Sequence, residues 1–194
     1  MSRILIAVFS LFLFLTACST TREVKRIDAG SQTDLSGRWN DTDSRLVATE
    51  MVNDGLSRIW LTNFVEQNGK KPVIIVGLVK NKTHELISAE TFIKDIEREF
   101  VNSGKVSIVQ GAEARDELRS ERADQQEFAS AETAKKWGKE KGADFILQGV
   151  INSLVDKEGD DKVVFYQVDL ELTDLETNEK VWLGNKKIKK FITN

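Results

Sequence analysis

Apolar and polar positions divide the chain into segments with different periods. An apolar run from Ile4 to Leu15 follows the basic Arg3 and is too short to span a bilayer, which takes about 20 residues. From Ser19 to about Ser36 the residues are polar without apolar period, which predicts a disordered tether. Leu46, Val47, Met51, Val52, Leu56, Ile59 and Trp60 then recur at helical spacing. They follow N-cap candidates in Asn40-Asp41-Thr42-Asp43 and predict one or two helices with a break at Gly55. A polar loop, Glu66 to Lys71, leads through Pro72 into Val73 to Val79, whose β-branched residues do not alternate. Such a run predicts a central strand covered on both faces, with Pro72 placed where no ladder donor is lost.

Ala89, Phe92, Ile93, Ile96 and Phe100 fall on one helical stripe, with Ser88 as cap and Gly104 as stop. Val106 to Val109 predicts a short strand. The charged stretch from Ala112 to Gln126 predicts a helix with a solvated face, and a second helix is expected from Ser130 to Gly142, burying Ala131, Ala134 and Trp137. Phe145 to Ile151 is a second strongly apolar strand. After a turn over Asp156 to Asp161, Val164, Tyr166, Val168, Leu170 and Leu172 alternate strictly with Phe165, Gln167, Asp169, Glu171 and Thr173, so one face is buried and the other open. Thr177-Asn178-Glu179 turns the chain into Val181-Trp182-Leu183 and on to Lys186, Lys187, Lys189 and Lys190, which suit an exposed edge. The order α-β-α-β-α-α-β-β-β predicts an α+β fold: a mixed sheet of about five strands with helices packed on it.

Candidate chemistry changes this picture little. One histidine, His84, sits in a polar turn with no second histidine or free thiol to pair with, which disfavours a Cys/His nucleophile or a transition-metal site. Neither a dinucleotide glycine fingerprint nor a phosphate-binding loop is present, so no cofactor is expected and catalysis is not expected. A formal net charge of -3 gives no basic footprint for nucleic acid. What remains is an interaction surface. Phe165 is a large aromatic on the otherwise polar face of its strand, and Arg115, Arg119 and Arg122 on the charged helix supply further anchors of the types that dominate interface energies. Tyr166 is grouped with these partner-binding candidates, and no small-molecule substrate is expected.

The sole cysteine closes the apolar run. Leu15-Thr16-Ala17-Cys18 resembles the lipobox of bacterial lipoproteins, with a small residue before the cut. This implies a signal peptide over 1–17, lipidation of Cys18, a tether over 18–36 and a globular domain over 37–194. Two or more acyl chains would hold the domain stably to a membrane. Ser19, where an aspartate would resemble an inner-membrane retention signal, favours the outer membrane. As a flexible coil, a tether of about 18 residues averages about 23 Å end to end.

Several motifs carry a further resemblance. Lys71-Pro72-Val73-Ile74-Ile75-Val76-Gly77 with Asn81-Lys82-Thr83, then Asn102-Ser103-Gly104-Lys105-Val106, Arg119-Ser120-Glu121-Arg122-Ala123-Asp124-Gln125-Gln126, Gly142-Ala143-Asp144-Phe145 and Val164-Phe165-Tyr166-Gln167-Val168 are similar to the LpoB family. These are outer-membrane lipoprotein activators of penicillin-binding proteins. The resemblance implies a domain related to the TolB N-terminal domain, facing the periplasm, that binds a class A peptidoglycan synthase and stimulates it without chemistry of its own. It also implies a long, proline-containing arm, whereas this tether is short and lacks proline. An alternative is a structural or assembly lipoprotein of the same fold, acting in secretion or envelope maintenance.

Overall fold

The computed structural model describes residues 23–130 and 140–193. The Ile4–Leu15 run, Cys18 and the helix expected over Ala131, Ala134 and Trp137 lie outside them. Residues 23–31 belong to a unit of their own, without helix or strand and with a turn in which the Asp28 carboxylate accepts from Gly30 N at 2.7 Å. The compact domain begins at Gln32, five residues before the boundary expected at 37.

The domain is an α+β fold with the order α1 (Asp41–Ser57), α2 (Ile59–Asn68), β1 (Val73–Asn81), α3 (Ala89–Ser103), β2 (Ser107–Val109), α4 (Ala112–Phe128), β3 (Phe145–Glu158), β4 (Asp161–Asp174) and β5 (Lys180–Ile192). The strands lie in the order β2-β1-β3-β4-β5. β1 is parallel to β2 and β3, whereas β3, β4 and β5 are antiparallel. Short connections allow the antiparallel half, and α3 supplies the crossover that the parallel pair β1–β2 requires.

Local signals account for most helix boundaries. Asn40 caps α1 in a reciprocal box: its side chain accepts from Asp43 N at 3.1 Å, and the Asp43 carboxylate accepts from Asn40 N at 3.0 Å. Ser88 caps α3, and Gly104 ends it in the left-handed region at φ 66°. The break between α1 and α2 falls at Arg58 rather than Gly55. Gly55 serves packing instead: a Cβ there would lie 3.3 Å from the Trp182 ring, and its carbonyl accepts from Trp60 Nε1 at 2.8 Å.

The core lies between the helices and one face of the sheet. Val47, Met51 and Val52 of α1, Trp60 of α2 and Phe92, Ile96 and Phe100 of α3 meet Ile74, Leu147, Ile151, Val168, Leu170 and Leu172 of the sheet. Burying such side chains removes roughly 1.5–3 kcal/mol each of exposed apolar free energy. In β1 the expected cover on both faces is only partial. A register shift between Val76 and Val79 leaves Leu78 60% exposed while Ile74, Val76 and Val79 face the core. Both faces are covered at the start of the strand, where Val73 and Ile74 are both buried, and the bulge breaks the alternation beyond it.

β3 and β4 run well beyond the core. They pair without interruption from Phe145↔Asp174 to Glu158↔Asp161, so the expected six-residue turn shrinks to Gly159-Asp160, with Gly159 at φ 60°. Asp144 fixes the start of β3: its carboxylate accepts from Val73 N at 2.8 Å and from Lys70 Nζ at 2.9 Å.

β5 is an edge strand, but its lysines are not all free. α1 runs antiparallel along it and is laced to it by Asp43–Lys190, Glu50–Lys186 and Asp54–Trp182. Lys190 Nζ also donates to Asp34 Oδ1 at 2.7 Å and to the Arg38 carbonyl at 3.0 Å, so the segment before α1 is drawn onto the strand. Trp39 completes this strap. Its ring meets Phe92 and Tyr166 edge to face, and its N donates to Glu85 Oε2 at 3.1 Å.

Candidate functional site

Among the described residues no group of His, Cys, Asp or Glu is arranged to hold a metal ion, and His84 lies exposed in the loop after β1. No described helix is long and apolar enough to cross a membrane. The polar clusters that do form are structural. Asn81 Oδ1 accepts from Thr83 N at 2.9 Å, and Asn81 Nδ2 donates to the Glu85 carbonyl at 2.8 Å, so this loop is an Asx turn. That turn sets Glu85 to accept from the Tyr166 hydroxyl at 2.7 Å. Burial, reinforced by the Glu85 carboxylate, pushes the Tyr166 phenol well above its ordinary pKa.

Tyr166 therefore corrects the expectation that it meets a partner. It is fully buried, because strand alternation turns it to the core while its neighbour Phe165 faces outward. The alternation that predicts an open Phe165 also places Tyr166 inside.

The open face of the sheet carries the candidate surface. Phe165 is half-buried between Leu154 of β3 and Lys189 of β5, and in the next row Val163 lies between Asp156 and Phe191. Leu154 is 70% exposed and Phe191 65%. These side chains make an apolar centre, flanked by Lys187 and Lys189 on one side and by Asp156, Glu158 and Asp161 towards the hairpin tip. An apolar centre with a charged rim is the arrangement of protein interfaces. Further along the same face, a depression of about 390 Å³ is lined by Leu78, Lys80, Gln148, Asp169, Glu171 and Leu183.

The arginines form a second cluster. α4 buries none of its residues, and its helical spacing aligns Arg115, Arg119 and Arg122. Arg119 grips Glu140 through a two-pronged contact at 3.0 and 2.9 Å and also reaches Asp116 at 3.1 Å; Arg122 stands 3.5 Å from Glu140. The Arg119 hydrogen bonds hold the Glu140 carboxyl below its ordinary pKa, and Glu140 raises that of Arg119 in return. Arg115 Nε is buried without a hydrogen-bond partner among the described residues. A cavity of about 220 Å³ lies here, bounded by Ile108, Val109, Arg115, Leu118, Arg122 and Glu140.

The two clusters are not one site. Val109 is in line with Ile75 and Ile146, and Phe165 is opposite Leu154, eight residues further along β3. At about 3.3 Å per residue, that is about 26 Å along the sheet. The sequence brings an aromatic and three arginines to mind together, but the fold sends them to opposite ends.

The family described as "Peptidoglycan-synthase activator LpoB" matches residues 43–188. Among solved structures, the LpoB C-terminal domain from Salmonella enterica is similar over 76% of this chain and 99% of its own, at 15% identity and TM-score 0.43. The NMR structure of E. coli LpoB is similar over 91% of this chain and 85% of its own, at 14% identity and TM-score 0.42. Lipoprotein GNA1162 from Neisseria meningitidis is similar over 62% of this chain and 83% of its own, at 12% identity and TM-score 0.41. No protein of curated function matches the chain in sequence. The family match runs from the first turn of α1 to Ile188 in β5, across all five strands and about three quarters of the sequence, and on that extent the chain belongs to the LpoB family of peptidoglycan-synthase activators.

Proposed function

We propose that this protein is a lipid-anchored regulator at the periplasmic side of the outer membrane, held there through Cys18, and that it binds and activates a class A penicillin-binding protein. The observation that carries the reading is the family match over residues 43–188. The apolar centre on the open sheet face supports it, since a regulator without chemistry of its own works only through contact. Binding activates by favouring an active synthase conformation, and it does so only as far as it holds that state more tightly than the inactive one. Phe165 is the anchor of this contact. Arg115, Arg119 and Arg122 form a separate second contact.

The test adds the full lipidated chain, in detergent, to a purified class A synthase from the same organism and follows glycan polymerisation and cross-linking. Stimulation of both activities is expected. Phe165→Ala should weaken binding by at least about 2 kcal/mol, roughly thirtyfold. Absence of stimulation with every class A synthase of the organism would overturn the reading, and unchanged binding by Phe165→Ala would displace the anchor.

A further inference from the structure

Strand β5 ends the sheet, and its two edges are unlike. Its inner edge pairs with β4 from Lys162↔Ile192 to Thr173↔Lys180. No backbone group of a described residue bonds to its outer edge. Long free edges invite another strand, and lysines are a common deterrent. From Lys180 to Ile192 the strand carries Lys180, Lys186, Lys187, Lys189 and Lys190 and no acid, in a chain whose formal net charge is -3.

These lysines fall into two sets. Lys180 is paired with Glu171, Lys186 with Glu50, and Lys190 with Asp34 and Asp43. Lys187 and Lys189 are exposed on the open face and have no ion partner among the described residues. On the other face of the strand, a groove of about 450 Å³ runs between β5 and α1, lined by Asp34, Thr42, Leu46, Glu50, Lys186 and Ile188. Leu46 in its wall is 49% exposed.

A bare edge beside a helix-walled groove has the form used by domains that bind an extended peptide as an added strand. The charges decide what that strand is. A second copy of this chain, paired antiparallel through β5, would set a lysine-rich strand against itself, and like charges opposite one another destabilise a sheet. A strand bearing acidic residues meets Lys187 and Lys189 instead. We infer that the outer edge of β5 takes an extended acidic segment of the partner as a sixth strand, its carboxylates paired with Lys187 and Lys189 and its alternate side chains in the α1–β5 groove. The inference rests on the reading of this protein as a regulator that works by contact. It adds that the partner is held by backbone pairing as well as by the Phe165 patch.

Amide hydrogen exchange distinguishes these modes. Along β5, alternate amides face β4 and are protected already, while those between them face outward and exchange fast. The full lipidated chain is measured in detergent alone and with saturating purified class A synthase. Strand addition slows the outward-facing amides of β5 by at least tenfold, in an every-second-residue pattern. The Lys187→Glu/Lys189→Glu variant weakens synthase binding at least tenfold without lowering the melting temperature, and Lys187→Arg/Lys189→Arg retains it. Binding of the synthase with unchanged exchange along β5 overturns strand addition and leaves the functional reading standing. No binding to any class A synthase overturns both. Protection of the same amides in the protein alone, rising with concentration as dimers form in sedimentation, would mean that the occupant is a second copy and would also overturn the inference.

Discussion

Lys190→Met puts the α1–β5 clamp to a quantitative test. The lysine side chain is 11% exposed and holds Asp34, 37% exposed, and Asp43, 9% exposed. Removing one partner of a buried pair leaves a charge uncompensated, at about 3–5 kcal/mol. The lower end applies, about 3 kcal/mol, because Asp34 can turn to water and Asp43 keeps its hydrogen bond from Asn40 N. For a domain of this size each kcal/mol shifts the melting temperature by about 2–4 °C, so a fall of about 6–12 °C is expected. Lys186→Met is the control. Its pair with Glu50 is more open, at 30% and 61% exposure, and should be worth under about 1 kcal/mol. Adding Asp43→Asn to Lys190→Met removes the stranded charge and should recover about 1 kcal/mol, a coupling that a double-mutant cycle reads directly.

The pH dependence has a definite sign. Burial opposes the Lys190 charge, but hydrogen bonds to Asp34 and Asp43 outweigh it and raise its pKa. A raised lysine stabilises fully below its unfolded value, about 10.4, and that contribution fades as pH rises through the higher folded value. Asp34 is lowered, chiefly by Lys190 and then by Asn40, so its contribution is present above about pH 3.9 and fades as pH falls through the lower folded value. The difference between wild type and Lys190→Met should therefore be flat from about pH 5 to 9. Scanning calorimetry across that range measures it. Equal melting temperatures for Lys190→Met and Lys186→Met would refute the reasoning.

Other predictions are simpler. Tyr166→Phe deletes the hydroxyl bonded to Glu85 and should cost about 1–2 kcal/mol of stability with synthase affinity unchanged; lost affinity at an unchanged melting temperature would return Tyr166 to the interface. Phe165→Ala, at a half-buried position on the open face, should cost far less than the 3–5 kcal/mol typical of a core phenylalanine, as thermal melts will show. Cys18→Ser should move the protein from the membrane fraction to the supernatant, and continued detergent-dependent sedimentation would count against the anchor.

Much of the fold is legible in the sequence where burial imposes a period. Phe92, Ile96 and Phe100 mark α3 between Ser88 and Gly104, and the alternation from Val164 to Leu172 marks β4, because one face of each is dry. Where backbone pairing alone extends an element, nothing periodic records it. The sequence reading ends the strand at Ile151 and starts the turn at Asp156, yet Asn152 to Glu158 all pair with β4, since a hairpin needs no apolar side chain to form its ladder. Long-range polar pairs leave no trace either. Lys190 reads as one of four exposed lysines, and only the return of Asp34 and Asp43 beside it, far away in sequence, makes it a buried clamp. For the candidate site, strand parity predicts that Phe165 faces away from the core, and there it is half-buried between its neighbours. The separation of Phe165 from the arginines follows from strand order and register, which a list of residues does not contain.

The same parity divides stability from contact along β5. Trp182, Lys186, Ile188 and Lys190 turn towards α1 and the core, where they meet Asp54, Glu50 and Asp43. Leu183, Lys187, Lys189 and Phe191 turn to the open face, and each is exposed. Substitutions in the first set therefore act on the melting temperature through the α1 clamp, while those in the second act on what a partner meets. One residue crosses the division only if the register of β5 on β4 slips, because a shift of one position exchanges the two faces. Slippage is opposed by three α1–β5 links in series, so the clamp that stabilises the domain also fixes which lysines and which phenylalanine it presents. A destabilised clamp should for that reason weaken synthase binding before the domain unfolds: for Lys190→Met, affinity should fall on warming at temperatures below its melting transition, while for wild type it holds. If affinity tracks only the folded fraction in both proteins, the clamp stabilises the domain without ordering the surface.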